Sequence, residues 1–201
     1  MPIKNSIKAY DIPAYYHVYN RGAGQAEIFH EDKDRYKFLS ILQRHLDPDD
    51  TTCDANGRAY DKYPVKLVAY CLMSNHFHLL LYQDEDVEAI TQLMRSVATA
   101  YTMYFNKKYK QSGHLFQGVF KASHINNESY LSHISRYIHM NPRRYLRYQW
   151  SSIGCYLGWE TSNWVYPELA SDMNPVQYRQ FLEEYEGRKT ELELLKSQLA
   201  T

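Results

Sequence analysis

Residues 65–83, VKLVAYCLMSNHFHLLLYQ, constrain the fold more than any other stretch of this chain. Two apolar runs of strand length flank Ser74-Asn75, a pair suited to a tight turn. The spacing therefore predicts strand 65–73 and strand 76–83, paired as an antiparallel hairpin. A strand sends alternate side chains to opposite faces. Phe77, Leu79 and Leu81 then share a face that fits a core. His76 and His78 share the other, with their rings close enough to hold a single ion between them.

The remaining elements can be placed around this hairpin. AYYHVYNRG (14–22) reads as a strand ending at Gly22, and 31–46 as a helix with acidic residues in its first turn, where the helix dipole favours them. Residues 47–63 are polar and turn-rich and predict an exposed excursion. Residues 86–109 predict a long helix, and GHLFQGVFKASHI (113–125) alternates like a further strand. Residues 127–140 predict a helix opened by an Asn cap and closed by Asn141-Pro142. The order β, α, β, β, α, β, α predicts an α+β fold: a ferredoxin-like antiparallel sheet with helices segregated to one side, plus one helix more than the βαββαβ pattern. A loop with a short helix is expected around 149–160, and one or two terminal helices over 174–199. We divide the chain into a main domain, 1–158, and an acidic helical extension, 159–201.

The formal net charge is zero, with 23 basic and 23 acidic residues, which on its own argues against a nucleic-acid partner. The distribution does not. From Arg95 to Arg147 there are nine Lys and Arg residues and one acid, Glu128, a local charge of +8. A phosphate-binding surface needs local rather than global charge, although solvated helix faces would give the same pattern. No apolar run reaches the length of a membrane span, and the first residues lack the apolar core of a secretory signal. Three scattered cysteines carry no metal-ligand spacing. The expectation is a cytoplasmic protein with no membrane partner and no nucleotide cofactor.

A His-x-His strand alone is a weak signal, since such pairs often face solvent. Its weight comes from a second element, LSHISRYIHMNP, where Tyr137 and Asn141 lie four apart on one helix face, with His133 a turn earlier. If this helix crosses the histidine strand, a phenol, an amide oxygen and an imidazole converge on one ion. Tyr130 is the rival phenol. Leu131, Ile134 and Ile138 around it point instead to a packed core aromatic, a role that is the lesser alternative for Tyr137. His139 lies about 200° round the helix from Tyr137 and reads as structural or phosphate-adjacent. His133 is a group behind the ligands or simply exposed.

Taken together, HVYNRG with IF at 28–29, MSNHFHLLL, GHLFQGVFK, YLSHISRYIHMNPRR and WSSIGCYLG resemble the single-tyrosine HUH transposases, specifically the REP-associated tyrosine transposases of bacteria, over roughly 14–158. The resemblance implies that His76, His78 and Asn141 hold Mg²⁺ or Mn²⁺ and that Tyr137 attacks a phosphate in single-stranded DNA. A 5′-phosphotyrosine and a free 3′-OH would result. It implies recognition of short palindromic repeats folded as hairpins. Arg21, Lys121, Arg136, Arg143 and Arg144 are the candidate DNA contacts, with Tyr19 and Phe116 available for stacking. Ser74 stands where the family pattern has proline, and Val119 where an arginine commonly follows QG, which removes a phosphate contact.

The reading is thus a metal-dependent single-strand endonuclease and strand transferase, working as a monomer or homodimer. A non-catalytic repeat-binding protein is the alternative. A histidine phosphoesterase of small molecules is disfavoured, because no third alternating histidine and no His-x-Ser/Thr motif accompanies HFHLLL. The acidic tail, with Glu183, Glu184, Glu186, Glu191 and Glu193, is expected to lie against the basic surface and compete with DNA.

Overall fold

The fold is taken from a computed structural model that describes residues 10–199, with side chains through 187. Its main elements are β1 (Ala14–Arg21), α1 (Asp32–Leu46), β2 (Val65–Leu72), β3 (His76–Gln83), α2 (Ala89–Tyr109), β4 (Lys121–Ile125), α3 (Leu131–His139), α4 (Ile153–Tyr156) and α5 (Pro175–Leu199). The hairpin β2–β3 forms as the sequence requires, and β1 pairs with the free edge of β3 rather than with β2. The sheet order is β2-β3-β1-β4, antiparallel throughout, which is the ferredoxin-like arrangement.

The helices lie on both faces of the sheet. One core joins Val18, Phe77, Leu79 and Leu81 to Phe38 and Leu42 of α1 and to Leu93, Val97 and Tyr101 of α2. The other joins Ala69, Cys71 and Leu80 to Leu131 and Ile138 of α3, Tyr156 of α4, and Tyr178 and Leu182 of α5. The expected segregation to one side therefore holds for α1 and α2 alone. The physical reason lies in β2 and the second half of β3, which are apolar on both faces and need cover on both. A β-bulge in β2 sharpens the point. Leu67 pairs with Leu81 and Ala69 with Leu80, so Val68 is an extra residue that reverses the strand's phase. Val65 and Leu67 before the bulge, and Tyr70 and Leu72 after it, consequently face the same core.

The strand expected over 113–125 shortens to 121–125. Gly113 and Gly118 adopt φ of 88° and 118°, outside strand geometry, and the alternation of 115–120 reflects a loop that buries Leu115, Phe116 and Phe120. Asn127 caps the next segment, its side chain accepting from the Ser129 N–H at 3.0 Å, and a 3-10 turn at Glu128–Tyr130 leads into α3. Residues 47–63 form a mostly exposed loop. The Asp54 carboxylate accepts the N–H groups of Asn56 and Arg58, each at 2.9 Å.

The terminal segment is one helix. Asn174 and Gln177 exchange side-chain-to-backbone hydrogen bonds of 3.0 and 2.9 Å, a capping box that starts α5. Its first turns bury Tyr178 and Leu182 completely. The acids expected to screen the basic surface are partly committed elsewhere: Glu183 pairs with Arg179 at 2.9 Å, and Glu186 accepts from the Tyr145 hydroxyl. The side chains of Glu191 and Glu193 lie outside the described residues.

His139 resolves as structural. It is fully buried, between the Tyr178 hydroxyl and Ser152 Oγ, each 2.8 Å away. The partners accommodate a neutral ring. Ser152 accepts from the Tyr70 N–H and donates to Nε2; Nδ1–H donates to Tyr178, which donates to Ser135, which donates to the Ser132 carbonyl. Burial pushes the His139 pKa down to about 3 from 6.5. A depressed histidine destabilises the fold as pH falls below the unfolded value, because the unfolded chain then takes the proton first. Lowering the pH from 7.5 to 5.5 should cost about 1.4 kcal/mol through this residue. His139→Gln should therefore be less stable than the parent at pH 7.5, with the gap narrowing by that amount at 5.5. Urea titrations at both pH values check this; a constant gap would remove His139 from the acid sensitivity.

Candidate active site

Pairing of β1 with β3 places Tyr19 opposite His78 and Arg21 opposite His76, so that His17, Tyr19, His76 and His78 share one face. The start of β3 is fixed from below. The Ser74 carbonyl accepts from the N–H groups of both Ile28 and Phe29, at 2.8 and 3.0 Å, and the Asn75 carbonyl accepts from Gly22 N–H at 2.9 Å. This is the structural use of the IF pair at 28–29. Gly22 itself is obligatory, since a Cβ there would sit 2.0 Å from the Ala26 carbonyl oxygen.

Helix α3 packs across β2 and β3 and lays Tyr137 over the histidines. Its ring meets His17 and His78 edge-on, with centroids 5.8 and 5.7 Å away. Tyr137 is 52% exposed, which excludes the buried-core reading, and its hydroxyl has no hydrogen-bond partner among the described residues. Asn141, one turn on, brings its Oδ1 to 3.2 Å from His76 Nε2. The rival phenol is corrected: Tyr130 is 57% exposed at the start of α3, so it is no core residue, and its ring neighbour is His133 rather than the β3 histidines. His133 is exposed and bonded through Nδ1 to the Arg136 guanidinium at 2.8 Å.

The hydrogen bonds around Asn75 orient His76. The Asn75 amide donates its Nδ2 to the Gln25 carbonyl, which turns its Oδ1 toward His76 Nδ1 at 2.6 Å. His76 thus donates from Nδ1, and its Nε2 carries a lone pair. In the neutral ring that lone pair faces the amide oxygen of Asn141, 3.2 Å away. A divalent cation would suit both, because adjacent ligands of an octahedral ion with ~2.1 Å bonds are about 3 Å apart. Across the site, His17 Nε2 and His78 Nδ1 are 2.9 Å apart and their rings stack at 5.0 Å. Burial lowers the pKa of His78 to about 3, reinforced by His17 and His76, and burial alone takes His17 to about 4. Both rings are therefore neutral at physiological pH, the form in which imidazole binds a metal. Among the described residues no three His, Cys, Asp or Glu side chains form a cage of their own. The donor set consists of imidazoles and an amide.

His17 was not singled out in the sequence. The available signal was its place two residues before Tyr19 in a strand of alternating pattern, but only the β1–β3 register brings it to His78. Of the candidate DNA contacts, Arg21 and Lys121 line a groove of about 580 Å³ with Tyr19, Asn20, His76 and His78. Arg21 is bonded through its Nε to Gln117, and the Lys121 ammonium lies 6.0 Å over the Tyr19 ring. Arg143 and Arg144 are exposed just after Asn141. Arg136 does not join them: its guanidinium lies over Phe181 and Tyr185 of α5, at 4.0 and 4.2 Å. Lys108 is likewise committed to buried Asp34 and to Glu31, each at 2.5 Å. Phe116 is 8% exposed and packs on Phe77 and Tyr101, so it is a core residue rather than a stacking platform.

A ferredoxin-like sheet that presents paired histidines beneath a helix-borne tyrosine is the arrangement expected of a tyrosine transposase. The family model for the IS200-like transposases matches residues 15–141, and the chain belongs to that family. Among solved structures, it is similar to a REP-associated tyrosine transposase bound to a REP hairpin, with TM-score 0.57 and 12% identity over 86% of this chain and 93% of that one. At that identity the likeness concerns the fold. A protein of Deinococcus radiodurans R1 described as a transposase matches with TM-score 0.39 and 17% identity, over 69% of this chain and 95% of the other. No curated protein matches. Among the described residues no helix is long and apolar enough to cross a membrane.

Proposed function

We propose that this transposase is a metal-dependent endonuclease and strand transferase of single-stranded DNA. Its substrate would be DNA folded into a palindromic hairpin, and it would act through a 5′-phosphotyrosine on Tyr137. The observation that carries the reading is the pair of facing atoms, His76 Nε2 and Asn141 Oδ1, one helical turn from an exposed tyrosine that touches His78. His76, His78 and Asn141 would hold a Mg²⁺ or Mn²⁺ ion, whose contribution would be Lewis-acid polarisation of the scissile phosphate. Tyr137 gives up its proton and attacks phosphorus; the bond to the 3′ oxygen breaks, and that oxygen leaves as the 3′-OH. The reverse attack by another 3′-OH rejoins strands without an external energy source. Tyr137 touches histidines of its own chain, which supports a site assembled within one monomer over one shared between two subunits. Hairpin DNA as substrate draws on the likeness to the hairpin-bound REP-associated enzyme.

The test is covalent capture. A fluorescent hairpin oligonucleotide from a palindromic repeat of the source genome is incubated with Mn²⁺, Mg²⁺ or EDTA and run on a denaturing gel. A protease-sensitive shifted species in metal and none in EDTA is expected. Tight binding without capture in any metal would make this a non-catalytic repeat-binding protein.

His17 has a positioning role in this scheme. For His78 to offer Nε2 to an ion, its Nδ1 must keep the proton and donate it to His17 Nε2. His17→Ala should weaken Mn²⁺ binding to the protein by about 10–100-fold, and His17→Gln, whose amide oxygen still accepts, should recover most of it. Direct Mn²⁺ titration without DNA decides the point; equal losses in both variants would leave His17 a packing residue.

A further inference from the structure

Arg21 is the last residue of β1 and stands directly opposite His76 in the β1–β3 register, as Tyr19 stands opposite His78. Residues directly opposite each other in an antiparallel pair project to the same face, so the Arg21 side chain enters the groove beside the first histidine of β3. No carboxylate lines that groove, and the guanidinium has no ion-pair partner among the described residues. Gln117 grips this arginine twice. Its backbone N–H donates to the Arg21 carbonyl at 2.9 Å, and its side-chain oxygen accepts from Arg21 Nε. The strand end is braced as well: the Arg21 N–H donates to Asn20 Oδ1 at 2.9 Å, and the Gly22 N–H donates to the Asn75 carbonyl at 2.9 Å. Arg21 and Gln117 are both exposed, so their bond adds little to stability. What it does is aim the guanidinium. With Nε occupied, the edge formed by the two terminal nitrogens is left, an edge that can bind a phosphate through two parallel hydrogen bonds.

We propose that Arg21 is a catalytic residue that holds a non-bridging oxygen of the scissile phosphate, and that Gln117 is its positioning residue. The inference rests on the proposed DNA-cleaving function and assigns Arg21 to one linkage, in place of a general attraction for DNA. Placement in the sheet carries the choice of linkage. Neighbouring strands are ~4.8 Å apart, so an arginine opposite His76 reaches a phosphate seated over His76 and His78. Lys121 lies one strand further away, opposite Tyr19, with its ammonium 6.0 Å over the Tyr19 ring, a place suited to an adjoining phosphate. As Tyr137 attacks, negative charge builds on the non-bridging oxygens of the five-coordinate phosphorus. A guanidinium already aimed at them offsets that charge without rearranging. The bonds made and broken remain those of the tyrosine attack. Arg21 supplies charge and hydrogen bonds and keeps its proton throughout.

The rate test is single-turnover cleavage of the hairpin oligonucleotide at saturating protein. Arg21→Ala should slow it on the order of 10²–10³-fold, the scale of removing one preorganised donor, while hairpin affinity falls by about tenfold or less. Gln117→Met keeps the length of the side chain and loses the acceptor. It should slow cleavage on the order of tenfold in the parent and not at all in Arg21→Ala, whereas a merely structural glutamine would cost the same in both backgrounds. The binding test uses Tyr137→Phe in EDTA and hairpins carrying one neutral methylphosphonate at each single-stranded linkage in turn. Neutralising the scissile linkage, mapped with the wild-type protein, should weaken binding in Tyr137→Phe and make no difference once Arg21→Ala is added. Thermal melts confirm that each variant is folded. Coupling of Arg21 to a different linkage, or to none, overturns the catalytic assignment while the cleavage itself stands. Failure of the wild-type protein to form any covalent species would instead overturn the proposed cleavage, and this inference with it.

Discussion

Tyr137→Phe should eliminate covalent DNA capture, with strand cleavage falling on the order of 10⁴-fold or more, while hairpin affinity should stay within about twofold of the parent. The size of the first effect follows from losing the attacking oxygen altogether, since a phenyl ring offers no nucleophile in its place. The smallness of the second follows from the contacts. The ring meets His17 and His78 edge-on through carbon atoms, and the hydroxyl has no hydrogen-bond partner among the described residues, so phenylalanine keeps the packing and leaves no buried group unpaired. Gel-based capture and fluorescence anisotropy on one preparation measure both. Tyr130→Phe serves as the control, and full retention of its activity is expected because its ring lies against His133 rather than the β3 histidines. Capture surviving in Tyr137→Phe and vanishing in Tyr130→Phe would reverse the assignment.

Ending the chain at residue 173 should prevent stable folding, an effect as large on stability as the first is on chemistry. The first turns of α5 supply Tyr178 and Leu182, both fully buried against β2, α3 and α4. Deleting one buried Leu side chain costs roughly 2–5 kcal/mol, and a large aromatic roughly 3–5 kcal/mol. The sum approaches the whole stability of an ordinary domain, about 5–15 kcal/mol. Truncation also strips His139 and Ser135 of the Tyr178 hydroxyl, breaking a directional hydrogen-bond chain in the core. Circular dichroism and chemical denaturation of the truncated chain give the answer. A cooperative transition within about 1 kcal/mol of the full chain would show that α5 is only appended. The same data bear on the tail as a competitor of DNA: affinity can be compared only if the truncated protein folds, so charge-reversal of exposed Glu184 in the full chain is the cleaner probe.

The hairpin, the two long helices and the Asn-capped helix before Asn141-Pro142 were legible because each is specified by neighbours in the chain: alternation, helical spacing, a cap. His76, His78, Tyr137 and Asn141 were legible for the same reason, as a pair two apart on a strand and a pair four apart on a helix. Phe116 and Arg136 were misplaced because residue type alone does not tell a stacking aromatic from a core one, or a phosphate contact from a cation over Phe181 and Tyr185. Tyr130 was misread because helical periodicity was extended through a 3-10 turn.

By itself, then, the sequence determined the ferredoxin-like order of elements and two separate pairs, His76 with His78 on a strand and Tyr137 with Asn141 on a helix, since period and spacing are local properties of the chain. Tertiary structure alone decided that helices cover both faces, that α3 crosses β3 so that the two pairs meet, and that β1 pairs with β3 in the register bringing His17 to His78. Each of these depends on which strand edge or sheet face a segment meets, a choice made by long-range burial of apolar surface.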